Sequence, residues 1–542
     1  MALSWLLLDE FTDERGTGEI SGTSATPGPG TRTHGGDTVD VISGGLFQWD
    51  EWASNYNYLQ YLDPAITRTA GRMLLARARL DNNKQFMIGL NQGTAPGTNY
   101  GDVQLRIKGV TVTSFVANSQ FGETNIWQFW WPEVGNWCDI AIVLRVNGAF
   151  LFTTRNGYWQ LVVDREIGAN SPLYVYWCNF SFNNISDSQG ALDFIRVPDA
   201  LWLPEPLAYD SFTRSDGSLG NTETSGPDGQ TITAHGWNGA TWAIDTNQAK
   251  NTPNLGAEHS SGTLTVGTWY QITATETDHF YAGCQVGDTF RAESEISLDA
   301  NNKVCPLTLS ELCATVNVGT KQVIASVKIQ SLQSGTQGGL VLWLDDPADP
   351  QNFIIAYHDG ANLKVDKCVG GSWANISSKA VSFVAGARLE AVRQYSEPNS
   401  AEVIQIIYDA ERHFQISAAT NPTTDTYFGI FSTDPDNRLD GFLVWPDGQE
   451  GDYLPHELAV ADSVHGHTAD HVALAENLAN VHDAAHPHTA DNVTLTQVHN
   501  LVVSDCFQAQ LSDNLTITRI GQAADVAVAD AAINAAAISD RA

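Results

Sequence analysis

The sequence predicts an all-β protein: two tandem antiparallel sandwiches of jelly-roll type, followed by a repetitive, extended stalk that trimerises. Three observations point there. The same ordered set of strand-like segments occurs twice within residues 1–450. Long helical periodicity is absent from that stretch; short runs rich in Val, Ile, Tyr and Phe alternate with Gly, Asn, Asp and Pro. After about residue 450 tryptophan disappears and a related unit recurs three times.

The first module opens with LLLDEFTDERGTGEI and the second with LAYDSFTRSDGSLGN, so Asp9 and Phe11 correspond to Asp210 and Phe212. The first closes with ALDFIRVPD and the second with RLDGFLVWPD, matching Asp193 to Asp440 and Pro198 to Pro446. Between these ends, GRMLLARARL matches KQVIASVKIQ, FMIGLNQ matches GLVLWLDD, DIAIVLRVNG matches RLEAVRQY, and SPLYVYWCNF matches DTYFGIFSTD. Arg77, Arg79, Lys328 and Gln330 alternate with apolar or small residues, the period of a strand with one face on a core. The 46 glycines and 16 tryptophans suit tight turns and aromatic-rich packing. First and last strands of such a sandwich are expected side by side, which brings each module's ends together. The predicted boundaries are 1–205, 206–450 and 451–542, with two prolines stiffening the linker ALWLPEPLAYD.

Charge narrows the partners. With 28 basic and 62 acidic residues the net charge is −34, which opposes binding to nucleic acid. The seven cysteines are scattered and no CxxC spacing occurs; only Cys305 and Cys313 are near enough in sequence to suggest a local pair. No run approaches the ~20 apolar residues of a membrane span, so no membrane insertion is expected. The start, MALSWLLLDEFTDE, lacks the basic region of a signal peptide, which fits synthesis in a cytoplasm.

The segments DSFTRSDGSLG (210–220), WNGATWAID (237–245), GLVLWLDDPADPQNFIIAYHDG (339–360) and LDGFLVWPD (439–447) resemble the concanavalin-like, laminin-G-like jelly rolls of phage structural proteins. The resemblance implies binding of glycans or proteins, sometimes through calcium. It does not place calcium ligands on this sequence. The acidic loops LDDPADP (344–350) and STDPDNRLDG (432–441) offer oxygen ligands, but Asp-Pro and Asp-Asn clusters are also turn formers. Enzymes resembling laminarinases set catalytic acids on one strand as E-x-D-x-x-E. The nearest text here, FRAESEISLDANN (290–302), offers Glu293 and Glu295 on one face of an exposed strand without the remaining spacing. The chain therefore reads as a non-enzyme. The alternative is a carbohydrate-active enzyme or a secreted carbohydrate-binding protein with tandem lectin-like modules. Tryptophans such as those of NIWQFWWPEVGNW (125–137) suit either sugar stacking or core packing.

The C-terminal units are DSVHGHTADHVAL, DAAHPHTADNVTL and DCFQAQLSDNLTI, beginning at Asp462, Asp483 and Asp505. Each ends in an apolar pair: Val472 and Leu474, Val493 and Leu495, Leu515 and Ile517. One unit is too narrow to bury a core against roughly 1–2 kcal/mol of backbone entropy per residue. Three chains side by side would bury three stripes. On a strand, His465 and His467 point the same way, as do His486 and His488. A trimer would then bring six imidazoles to each of two axial layers, enough for an octahedral transition metal: iron, or alternatively zinc or nickel. Buried metal-free histidines and solvated linker histidines satisfy the same spacing. His-x-His layers of this kind resemble those on the trimer axis of phage tail fibres and spikes. The resemblance implies a virion structural protein, a homotrimeric fibre, spike or decoration protein that binds host glycans or other virion proteins.

Overall fold

A computed structural model describes residues 4–446 apart from 14–15, 19, 36–38, 44–45, 51–56, 81–84, 92–102, 109–111, 115–136, 147, 156–157, 166–172, 180–189, 276–283, 397–400 and 410; beyond them it describes the strands at 472–474, 493–495 and 515–517. The chain divides into two units, Trp5–Gln449 and Met1–Ser4 with Glu450–Ala542. The first unit holds both sandwiches.

Among the described residues each sandwich pairs a nine-stranded with a six-stranded sheet. In the first, the larger sheet runs Tyr158–Arg165, Gly148–Arg155, Trp137–Arg145, Met73–Leu80, Gly190–Pro198, Leu46–Asp50, Val39–Ser43, Gly16–Gly18, with Trp5–Asp9 also on Gly190–Pro198. In the second, the order is Glu411–Ser417, Ala401–Tyr408, Ala387–Ser396, Val323–Ser331, Arg438–Pro446, Gln248–Asn251, Trp242–Asp245, Gly217–Ser218, with Ala208–Asp210 also on Arg438–Pro446. Strand for strand the two orders are the same. The smaller sheets match too: Gln85–Asn91, Leu173–Asn179 and Asn57–Ile66 correspond to Gly338–Leu344, Tyr427–Ser432 and Cys313–Asn317. Every segment pair matched in the sequence occupies equivalent positions in these sheets.

The layers close on apolar faces. In the second sandwich Val327, Ile329, Leu389, Ile404 and Val444 of one sheet share a core with Leu340, Leu342, Ile354, Val365 and Ile430 of the other. In the first, Phe47 and Trp177 meet edge-on across the layers at 5.3 Å. The opening strands lie beside the closing ones as expected. Leu7 faces Val197 and Asp9 faces Ile195; Ala208 faces Val444 and Asp210 faces Phe442.

The repeated Asp-x-Phe has a structural reason. Phe11 and Phe212 are buried with φ of 53° and 54°, in the left-handed region that side chains other than glycine seldom adopt. Each is held there by the aspartate two residues earlier, which accepts the phenylalanine N–H at 3.1 Å (Asp9) and 2.8 Å (Asp210). An arginine then clamps each carboxylate: Arg32 reaches Asp9 with Nε and Nη2, both at 2.6 Å, and Arg214 reaches Asp210 at 2.5 and 2.9 Å. Tyr61 and the Trp237 indole complete the two shells, each at 2.8 Å. Burial opposes the charge of Arg32, but hydrogen bonds to Asp9 and Asp13 overcome this and hold its pKa above the ordinary value. Burial, with Asp9 adjacent, raises the Tyr61 phenol, which stays protonated and donates.

The linker is fastened at both ends. Arg72 donates to the carbonyls of Pro198 and Asp199, Trp202 packs on Phe152, and Gln230 donates to Pro204 O at 3.0 Å. Between the sandwiches, Arg145 and Asp228 form a buried ion pair at 2.7 Å, while the Arg145 guanidinium lies over Phe150 and Trp445. Those two rings meet edge-on at 4.8 Å.

Two stability predictions follow from these buried groups. Asp9→Ala leaves Arg32 buried with Asp13 as its remaining carboxylate; denaturant unfolding of the whole chain should show a loss of about 3 kcal/mol, the low end for breaking a buried pair. His358 is the second case. It is buried against Phe383 and Tyr408, and its Nδ1 accepts the Gly360 N–H at 2.9 Å. Burial pushes its pKa below the usual imidazole value. The unfolded chain therefore binds this proton first, so the contribution is intact above about pH 6.5 and is lost as the pH falls below it, with a limiting slope of about 1.4 kcal/mol per pH unit. The difference in melting temperature between pH 7.5 and 5.5 should shrink in His358→Gln; an unchanged difference would remove His358 as its source.

Candidate functional site

The histidines singled out by the sequence, His465, His467, His486 and His488, lie outside the described residues, as do Trp127, Trp130 and Trp131 of the tryptophan-rich segment. Of the C-terminal unit, three short strands are described. Val472–Leu474, Val493–Leu495 and Leu515–Ile517 pair in parallel, Val472 beside Val493 beside Leu515. That register is the one given by aligning the three units in sequence. The expected association is between three chains; the pairing described here is between three strands of one chain.

The acidic loops are held as turns. Asp345 accepts the backbone N–H groups of Asp346, Gln351 and Asn352 at 2.9–3.0 Å, and its pKa lies below the usual carboxylate range because these bonds outweigh its burial. Asp346 accepts from Ala348 N and Asp434 from Asp436 N, while Asn437 bridges Gln333, Thr336 and Gln337. Among the described residues no group of three or more His, Cys, Asp or Glu side chains converges as metal ligands would. Glu293 and Glu295 stand exposed in an irregular segment after Thr289–Arg291, not on the strand expected from the sequence. Cys305 and Cys313 are both unpaired thiols, and burial pushes the Cys313 pKa to about 12.

A site that sequence reasoning missed lies on the outer face of the second sandwich. Gly338–Leu344 and Phe353–His358 are buried along their whole length, so both of their faces are covered. Val341, Ile355, Tyr357 and Phe431 turn away from the inter-sheet core and pack under residues 252–312. This insertion has its own small core, centred on Tyr270, Ile272, Phe290 and Val304, and its own sheet of Thr289–Arg291, Trp269–Ala274 and Lys303–Leu307. The signals were present: GLVLWL and FIIAYH are unbroken apolar runs rather than alternating ones, the mark of strands buried on both sides. Six residues, 51–56, separate the equivalent strands of the first module.

The insertion is fastened by a buried polar cluster. Asp366 accepts Arg291 Nη2 at 2.9 Å, the Tyr357 hydroxyl at 2.8 Å and Asn375 Nδ2 at 2.7 Å. Burial, with Asp366 adjacent, raises the Tyr357 phenol well above its ordinary value. The Arg291 guanidinium lies 4.8 Å from the Trp373 ring centre, and Phe353 and Trp269 meet that ring edge-on. Two clefts open beside Trp373, of about 440 and 370 Å3. Trp269, Leu309, Ser310 and Gln351 line the larger; Arg291, Glu293 and Asn375 line the smaller. Gly267 and Gly371, with φ of 88° and 77°, shape the shared wall. A Cβ on Gly267 would sit 3.0 Å from Trp373 Cδ1, and one on Gly371 2.9 Å from Gln351 Oε1.

No protein-family model matches the chain, and no curated protein matches it. Among solved structures, the VIP36 exoplasmic/lumenal domain in its Ca2+-bound form shares 7% identity at a TM-score of 0.27, covering 34% of this chain and 90% of that one. Lectin UEA-II complexed with galactose shares 8% at 0.25, covering 31% and 92%. Carbohydrate-binding module CBM66 from Bacillus subtilis shares 12% at 0.19, covering 24% and 81%. The architecture described above rests on the strand orders themselves.

Removing the central carboxylate tests the fastening. Asp366→Ala strands Arg291 in a buried site, and loss of one partner of such a pair costs about 3–5 kcal/mol. Hydrogen exchange should accelerate in Trp269–Ala274 and Lys303–Leu307 while Val323–Ser331 keeps its protection.

Proposed function

We propose that this chain is a structural, binding protein of a tailed-phage virion: a homotrimeric fibre, spike or decoration protein whose sandwiches engage host-surface glycans or neighbouring virion proteins. One observation carries the reading. The same sandwich is built twice and locked into one unit by Arg145 and Asp228, and it is followed by units whose strands stack in the register of their own sequence repeat. Duplicated modules at fixed spacing suit multivalent attachment, where weak contacts multiply once the copies are joined. Repeats stacked at a constant step suit a stalk. In a trimer, His465 with His467 and His486 with His488 would supply two layers of imidazoles for iron, zinc or nickel, a metal that would cross-link the chains.

Native mass spectrometry of the intact protein, with and without a strong chelator, tests this. The expected mass is three times 58.7 kDa, with one metal ion per histidine layer lost on chelation. A monomer at micromolar concentration would overturn the fibre, and a trimer indifferent to chelator would overturn the metal layers alone.

A further inference from the structure

We propose that the cleft between the 252–312 insertion and the outer face of the second sandwich binds a neutral saccharide, with Trp373 at its centre. The inference rests on the glycan-binding reading above and assigns it a place and a ligand class. The larger cavity, about 440 Å3, lies within the range of small-molecule sites, roughly 300–1,000 Å3. Its wall mixes the two chemistries that a sugar presents. Trp373 and Leu309 offer apolar surface to C–H faces, while Thr268, Ser310 and Gln351 offer hydroxyl and amide groups to ring hydroxyls. Trp269 is almost wholly buried behind Trp373, and its Nε1 has no hydrogen-bond partner among the described residues. Val266, 53% exposed, extends the apolar surface to the rim and borders both clefts.

The charges decide between neutral and anionic ligands. The cation of the smaller cleft, Arg291, is already paired with Asp366 and Glu293. Asp349 lines the larger cleft and Glu293 the smaller, and the whole chain carries −34. A sialylated, sulfated or phosphorylated glycan would meet repulsion at both mouths. The wall is also set before any ligand arrives. Trp373 is held by Phe353, Trp269 and Arg291, and Gly267 and Gly371 leave no room for a side chain to displace it or Gln351. A preformed site loses little entropy on binding, which favours weak ligands such as single sugars.

The test uses the full chain on an array of neutral oligosaccharides beside their sialylated and sulfated counterparts, then tryptophan-fluorescence titration with the best neutral compound. Binding is expected for neutral glycans, weakened about tenfold or more by Trp373→Ala and by Val266→Lys. The second variant alters only an exposed rim residue, so it decides the matter if Trp373→Ala does not fold. Neutral-glycan binding that survives in the folded variants would overturn this site and leave the glycan-binding reading standing. Binding of anionic glycans alone would overturn the ligand class. No glycan bound by the unaltered chain would overturn the glycan-binding reading and this site together.

Discussion

A buried carboxylate placed two residues ahead of a left-handed phenylalanine closes each sandwich. The geometry is unfavourable in isolation. A phenylalanine at φ near +53° carries strain of order 1–3 kcal/mol, and a buried aspartate without partners is worse still. Together they compensate: the carboxylate satisfies the phenylalanine N–H, the arginine satisfies the carboxylate, and the turned backbone drops the phenyl ring into the core. The opening strand can then leave the closing strand, and the next strands, Gly16–Gly18 and Gly217–Ser218, join the far edge of the same sheet in each module. The two modules reach the same corner with different arginines. Arg214 comes from four residues along the chain, whereas Arg32 comes from a neighbouring strand of the smaller sheet. What is repeated is the charge balance around Asp9 and Asp210, more than the sequence that supplies it.

That difference explains what the sequence disclosed. The second halves of Met73–Leu80 and Val323–Ser331 alternate visibly because one face there meets a core and the other does not, and two copies of one order are easier to see than one. Asp9 and Phe11 stood out because Asp210 and Phe212 repeat them; Arg32 did not, since only tertiary pairing brings it to Asp9. The insertion was illegible for another reason. Its strands are two to six residues long, too short to show a period, and it has no counterpart in the first module. The Trp373 cleft depends on that insertion and on sheet register, so neither Trp373 nor Arg291 could be distinguished from any other aromatic or basic residue. Glu293 and Glu295 read as neighbours on one strand face, but the strand Thr289–Arg291 ends before them and the segment that carries them is irregular.

Duplication followed by unequal elaboration gives the first unit its character. Both copies keep the nine-stranded sheet, which carries the ends and the linker. The second copy covers the outer face of its smaller sheet, and covering demands apolar residues on both sides of Gly338–Leu344 and Phe353–His358. The insertion is then held by one polar cluster in an otherwise apolar seam. Asp366 accepts from Arg291, Tyr357 and Asn375 there, which fixes the register of the seam more sharply than apolar contact alone would.

The C-terminal strands pose the complementary problem. Three parallel strands of three residues each, paired within one chain, leave two unpaired edges among the described residues. Small parallel sheets are ordinarily covered on both faces, and exposed edges invite further pairing. Pairing within the chain sets the step between these three strands. Association of several copies would supply that cover, while the in-register stack would keep equivalent residues of successive units at one constant step. In the trimer proposed above, intrachain stacking would set the length of the assembly and interchain association its width.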